Sequence, residues 1–131
     1  KNNSINSEKR MLSSMTPTII EKNNKLYMIL GSPGGPTIIT SVLQTILNVS
    51  FFNMTIEEAV IKPRFHHLWL PDQIFYEQNA ISNKTKNKLM DIGYKFDNSS
   101  SLIGRVDAIL IEKNKIFTAA DPRGDDYGDG K

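Results

Sequence analysis

The apolar residues of this chain change their spacing from one segment to the next, and each change predicts a different element. In TPTIIEKNNKLYMILGS, residues 16–32, two runs rich in Ile, Leu, Tyr and Met flank Asn23 and Asn24. Asparagine tolerates positive φ better than other residues that carry a side chain, so the stretch reads as two strands joined in a β-hairpin. Further on, Ile38, Ile39, Val42, Leu43, Ile46 and Leu47 recur at the spacings of one helical face. That stripe is expected to pack into the core of the fold. Pro36 falls in its first turn, where the missing N–H costs nothing.

A second, short helix is predicted in NMTIEEAVIKP, where Thr55 and Glu58 have capping-box spacing and Pro63 forces an end. QIFYEQN is strand-like. ISNKTKNKLMDIGY predicts a helix capped by Ser82 and stopped at Gly93, and RVDAILIEKNKIFTAAD predicts two strands around Lys113 to Lys115. Hairpins interleaved with helices favour antiparallel pairing in a layered α+β fold over a parallel doubly wound sheet. Residues 1–10, all polar except Ile5, read as a flexible lead-in, and residues 11–131 as the folded part.

Composition narrows the function classes. A chain of 131 residues is enough for one domain, burying roughly two thirds of its unfolded surface. Sixteen basic and fourteen acidic residues leave a net charge of only +2, which points to no nucleic-acid or membrane-surface partner. No apolar run reaches the roughly 18 to 20 residues of a membrane span. Cysteine is absent, so thiolate chemistry, disulfides and Cys-based zinc sites are excluded. The lead-in KNNSINSEKR lacks the apolar core of a signal peptide.

The candidate chemistry lies in GSPGGPT, residues 31–37. A strand that ends in Gly-Gly and passes into a helix leaves backbone N–H groups unpaired at the positive end of the helix dipole, a corner that attracts anions. With no side chain on Gly34 or Gly35, a ligand oxygen can approach both amides, as an oxyanion hole or phosphate cradle requires. A plain tight turn fits the same residues. A P-loop does not, because the lysine and hydroxyl residue that reach phosphate and magnesium are missing, and no Rossmann glycine triplet is present. His66 and His67 suggest a metal, but adjacent histidines seldom face one ion and no third ligand follows at suitable spacing; the expectation is a structural role and no metal. The tail DPRGDDYGDG lacks the ligand order of a calcium loop, and Arg123-Gly124-Asp125 is too short a match to mark an adhesion ligand.

The segments KRMLSSMTPTII, GSPGG, PRFHHLWLPD and ADPRGDD, in this order, resemble the C-terminal part of the small subunit of gamma-glutamyltranspeptidases. The resemblance runs from about Lys9 to the end. It implies an N-terminal-nucleophile hydrolase fold, a four-layer αββα sandwich of which this chain holds a C-terminal portion. It also implies transfer of a γ-glutamyl group from glutathione or a similar amide to water or to an acceptor amino acid or peptide, with no cofactor. Ser13 and Ser14 match the serine pair that binds the α-carboxylate of the substrate, and Gly34 and Gly35 match the glycines that supply oxyanion-hole amides. By the same resemblance PRFHH is a packing motif, and Asp121 and Arg123 are expected in local hydrogen bonds at the end of a core strand.

The resemblance further implies that the threonine nucleophile, whose own α-amino group serves as base, lies upstream of Lys1, and that an arginine pairing with the substrate carboxylate belongs to a large subunit. The chain alone is therefore expected to be inactive. Its expected partners are the large subunit and the upstream part of the small subunit, in a periplasmic or secreted enzyme. Two alternatives stay open: a cephalosporin or glutaryl acylase of the same fold, and a non-catalytic anion-binding module. A chain lacking part of a two-sheet domain is also expected to expose strand edges and self-associate.

Overall fold

The computed structural model describes residues 4–10, 14–97 and 102–129. The expected hairpin forms between β1 (Thr18–Lys22) and β2 (Lys25–Gly31). Asn23 and Asn24 turn the chain with φ of 55° and 58°. A second hairpin joins β5 (Asp107–Glu112) to β6 (Lys115–Ala119), with Lys113 and Asn114 at φ of 52° and 60°. The two hairpins pair through β2 and β5 into one antiparallel sheet of order β1-β2-β5-β6. Between them in sequence come α1 (Ile38–Ser50), α2 (Ile56–Ile61), the ribbon of β3 (Phe65–His67) and β4 (Ile74–Tyr76), and α3 (Asn83–Asp91).

Helices α1 and α2 cover one face of the sheet. Met28, Leu30, Ala108, Leu110 and Ala119 face Val42, Val49, Ile56, Ala59 and Val60 across the core. The capping box of α2 forms as its spacing requires, with the Glu58 amide donating to Thr55 Oγ1 and the Thr55 amide to Glu58 Oε2. Ser82 caps α3 by accepting from the Thr85 amide, and Gly93 follows its end at φ 102°. On the other face of the sheet Ile19, Ile29 and Ile109 lie in one cross-strand row. Ile19 and Ile109 are exposed there, as is Ile116 farther along.

One expectation about α1 is corrected. Ile38 and Val42 are buried, but Ile39 is 73% and Leu43 49% exposed. The positions turned inward beside Val42 belong to Ser41 and Thr45, both with no exposed surface. Each hydroxyl donates to the carbonyl four residues back, Ser41 to Thr37 and Thr45 to Ser41. Their polar groups are therefore satisfied within the helix. A small side chain is needed at Ser41 because another backbone segment comes flush against it: a Cβ on Gly104 would stand 2.2 Å from Ser41 Oγ.

Candidate active site

The polypeptide leaves β2 at Gly31, passes through buried Ser32, and turns at Gly34 and Gly35 into a single 3₁₀ turn, Gly35–Thr37, that runs straight into α1. Gly34 takes φ 133° and ψ 17°. A side chain there is excluded twice, by the backbone and by space, since a Cβ would lie 2.7 Å from Thr37 Oγ1 and 3.3 Å from Gly104 Cα. Gly35 has φ 55° and open space, with no atom within 4 Å of where its Cβ would be. Both glycines are exposed. Among the described residues neither of their amides meets a protein acceptor.

The carbonyl ends of the same turn are held. Ser32 Oγ donates to Pro33 O at 2.7 Å, and Gly34 O accepts from both the amide and the hydroxyl of Thr37, at 3.1 and 2.9 Å. Ser32 Oγ also accepts from the Arg105 amide at 3.0 Å, which ties the loop of residues 102–106 to the corner.

Ser13 lies outside the described residues. Ser14 is exposed on the segment leading into β1. Since Thr18 pairs with Leu30 in antiparallel register, the residues before Thr18 run beside those after Leu30. Thr16 O indeed lies 3.4 Å from the position a Gly31 Cβ would take. Ser14 and the glycine corner thus occupy the same end of the sheet.

Beneath the 102–106 loop lies a buried charge cluster that no local sequence signal announced. Arg64, 1% exposed, donates from Nη2 to Asp121 Oδ2 at 2.7 Å and to Val60 O, and from Nη1 to Ile103 O. Arg123 forks onto Glu77, Nε to Oε1 at 2.7 Å and Nη2 to Oε2 at 2.5 Å, and donates from Nη1 to Asp121 Oδ1. The carboxylates also take backbone amides, Glu77 those of Ile103 and Arg64, Asp121 those of Val106 and Arg123. Burial works to raise the pKa values of Glu77 and Asp121, yet both lie below the ordinary range because these donors favour the charged forms. Burial likewise works against the charge on Arg123, and its two carboxylate partners outweigh it. Two full positive and two full negative charges therefore balance in the interior. The amides of Ile103 and Val106 are the two ends of the segment that presses Gly104 onto Gly34, so the cluster anchors the floor of the corner. The local bonds expected for Asp121 and Arg123 are present, from Arg123 to Asp121 Oδ1 and from the Gly124 amide to Asp121 O, and to them the fold adds partners far away in sequence, Arg64, Val106 and Glu77. It also removes Arg123 as a surface adhesion residue, since its guanidinium is enclosed.

The two histidines go separate ways. His67 is half-buried and pairs with Asp72 at 2.9 Å. His66, 3% exposed, has Nδ1 at 2.8 Å from Thr40 Oγ1, and burial first, then the neighbouring His67, holds its pKa below the usual value. Thr40 Oγ1 also lies 3.0 Å from Thr37 O, so this hydroxyl links the His66 ring to the first turn of α1. Among the described residues there is no group of three His, Cys, Asp or Glu side chains placed to hold a metal ion.

Residues 1–130 match the family model described as Gamma-glutamyltranspeptidase. The chain is 38% identical over 128 residues to the glutathione hydrolase proenzyme of Pseudomonas aeruginosa, covering 96% of this chain and 23% of that protein. Identity to the glutathione hydrolase proenzyme of Escherichia coli is also 38%, over 125 residues, 95% of this chain and 21% of that protein. This chain thus spans between a fifth and a quarter of these relatives. Among solved structures, a highly active variant of the gamma-glutamyltranspeptidase of Pseudomonas nitroreducens superimposes with a TM-score of 0.85 at 37% identity, covering all of this chain and 69% of that one. The α+β fold of the N-terminal-nucleophile type expected from the motifs is the fold found.

Proposed function

This chain belongs to the gamma-glutamyltranspeptidase family, and we propose that it forms the oxyanion- and carboxylate-binding part of an enzyme that transfers or hydrolyses the γ-glutamyl group of glutathione and related amides. The observation that carries the reading is the pair of amides of the exposed residues Gly34 and Gly35, at the 3₁₀ turn that leads into α1 and without a protein acceptor among the described residues. When a nucleophile from another part of the protein adds to the γ-carbonyl carbon, that oxygen gains a full negative charge. Two preoriented N–H donors at a helix start lower the energy of that charge more than that of the neutral carbonyl, which is the condition for accelerating the step. Ser14, at the same end of the sheet, and Ser13 are assigned to the α-carboxylate of the substrate, for which hydroxyl donors are suited. Collapse of the adduct breaks the amide C–N bond, the amine leaves with a proton, and an acceptor amino acid, peptide or water then takes the acyl group from the nucleophile.

The reading is tested in the full-length protein with a chromogenic γ-glutamyl anilide. Wild-type protein should release the aniline, and Gly35→Ala, whose methyl group would enter the open space before the amides, should lower kcat by about 10²-fold or more. A wild-type protein inactive on γ-glutamyl amides but active on a glutaryl amide lacking the α-amino acid head group would instead support an acylase.

The remainder of the protein is assigned to the outer face of the sheet. Exposed Ile19, Ile109 and Ile116 and the sheet edges at β1 and β6 are the surfaces that an adjoining layer would cover. Expressed by itself, the 131-residue chain should therefore self-associate, and a clean monomer in light scattering would contradict this.

A further inference from the structure

The glycine corner is built from two consecutive peptide units, Pro33–Gly34 and Gly34–Gly35, and each has a donor end and an acceptor end. We infer that Ser32 and Thr37 are positioning residues for the oxyanion site, each gripping with its hydroxyl the carbonyl end of the peptide whose N–H end faces the ligand. The inference rests on the function proposed above for Gly34 and Gly35.

A peptide unit is planar and trans, so its C=O and N–H point in opposite directions and fixing one fixes the other. Ser32 Oγ holds Pro33 O at 2.7 Å, and the same peptide carries the Gly34 amide. Thr37 holds Gly34 O twice, through its amide at 3.1 Å and Oγ1 at 2.9 Å, and that peptide carries the Gly35 amide. A hydrogen bond accepted at the carbonyl also polarises the unit and strengthens its N–H as a donor, by an estimated 10–30% per bond. The need for such control is greatest here, because two adjacent glycines leave this backbone with the widest choice of conformations in the chain.

Two details separate this from ordinary turn chemistry. Thr37 occupies the N-cap of α1 but makes no side-chain cap bond to the helix; its hydroxyl reaches backward to Gly34 instead. Ser32 is fully buried, and its oxygen stands between the Arg105 amide and Pro33 O, accepting from the first and donating to the second. The buried charge cluster, the 102–106 loop and the Pro33–Gly34 peptide are joined in this way by one line of hydrogen bonds.

The experiment is steady-state kinetics of the full-length protein on the γ-glutamyl anilide, comparing wild type, Thr37→Val, Thr37→Ser and Ser32→Ala. Valine keeps the Thr37 amide and the side-chain shape but removes the hydroxyl. The expected result is a kcat about five- to twentyfold lower with KM within about twofold of wild type, below the 10²- to 10³-fold loss that follows removal of a direct donor. Thr37→Ser should return kcat to within about twofold of wild type. Ser32→Ala, acting on the other peptide, should also lower kcat selectively, and it decides the matter if Thr37→Val does not fold. A merely structural hydroxyl would lower the melting temperature and leave kcat of the folded fraction intact, which would overturn the inference. So would parallel changes in kcat and KM, or failure of serine to rescue. A wild-type protein without turnover overturns the proposed function and this inference with it; an active wild type with an unaffected Thr37→Val and Ser32→Ala overturns the inference alone.

Discussion

Arg64 and Asp121 are 57 residues apart in the chain and 2.7 Å apart in space, both withdrawn from solvent. Between them they join the end of α2, the start of β3, the loop before β5 and the segment after β6. Replacing one member leaves the other charge buried without its partner, a situation that typically costs about 3–5 kcal/mol. Asp121→Ala should therefore lower the urea midpoint of the full-length protein sharply. Arg64→Lys should not rescue an arginine role, because a single ammonium cannot reach Val60 O, Ile103 O and Asp121 together. A stability change under about 1 kcal/mol for Asp121→Ala would show that the cluster anchors little.

The same cluster dictates a pH dependence. Glu77 and Asp121 lie below their ordinary values of 4.5 and 3.8 in the folded protein. On acidification the unfolded chain therefore binds their protons first. Their contribution is complete above those values and is lost as pH falls through the lower folded ones. His66, also held below its ordinary 6.5, acts in the same direction: the unfolded chain protonates first, so stability begins to decline below about pH 6.5. Asp107 opposes them. Partial desolvation, then the charges of Asp126 and Asp121, raise it above 3.8, so its ionisation disfavours the fold, but Asp107 keeps more exposed surface than the three groups set against it. Urea midpoints should be flat above pH 7, fall gently towards pH 5 and fall steeply below about 4.5. Constant or rising stability across that range would contradict the assignment.

Substrate affinity and turnover should separate at the site. A hydrogen bond to a bound carboxylate contributes roughly 1.5–3 kcal/mol, so Ser14→Ala should raise KM for a γ-glutamyl donor about ten- to a hundredfold with a smaller change in kcat. Gly35→Ala should do the reverse. Kinetics in which Ser14→Ala alters kcat alone would remove Ser14 from the carboxylate site.

Gln44 offers a test away from the chemistry. Its side-chain amide acts as a substitute strand, with Nε2 donating to Phe65 O at 2.7 Å and Oε1 accepting from the Phe65 amide at 3.2 Å. It thereby fastens β3 to α1. Gln44→Ala should destabilise the protein by about 1–2 kcal/mol, since two backbone groups at the strand edge lose their partner. Amide hydrogen exchange at Phe65 should rise correspondingly, and unchanged protection there would argue against the bond.

How much of this was legible beforehand depends on how far apart the interacting residues are. The two hairpin turns, the capping box at Thr55 and Glu58, the Ser82 cap and the glycine corner were readable, because each is a contest between a side chain and backbone groups only a few positions away. The periodicity of Ile38 to Leu47 located a helix, but not which side of its apolar arc would meet the sheet. At Ser41 that was decided by Gly104, whose backbone approaches so closely that a small side chain is needed opposite it. In the same way, nothing local marks Arg64, Glu77, Asp121 and Arg123 as one cluster. Their partners are brought to them by the pairing of β2 with β5 and the folding of α2 beneath the loop. Burying a charge is favourable only when its donors and acceptors arrive together, and that arrival belongs to the tertiary structure.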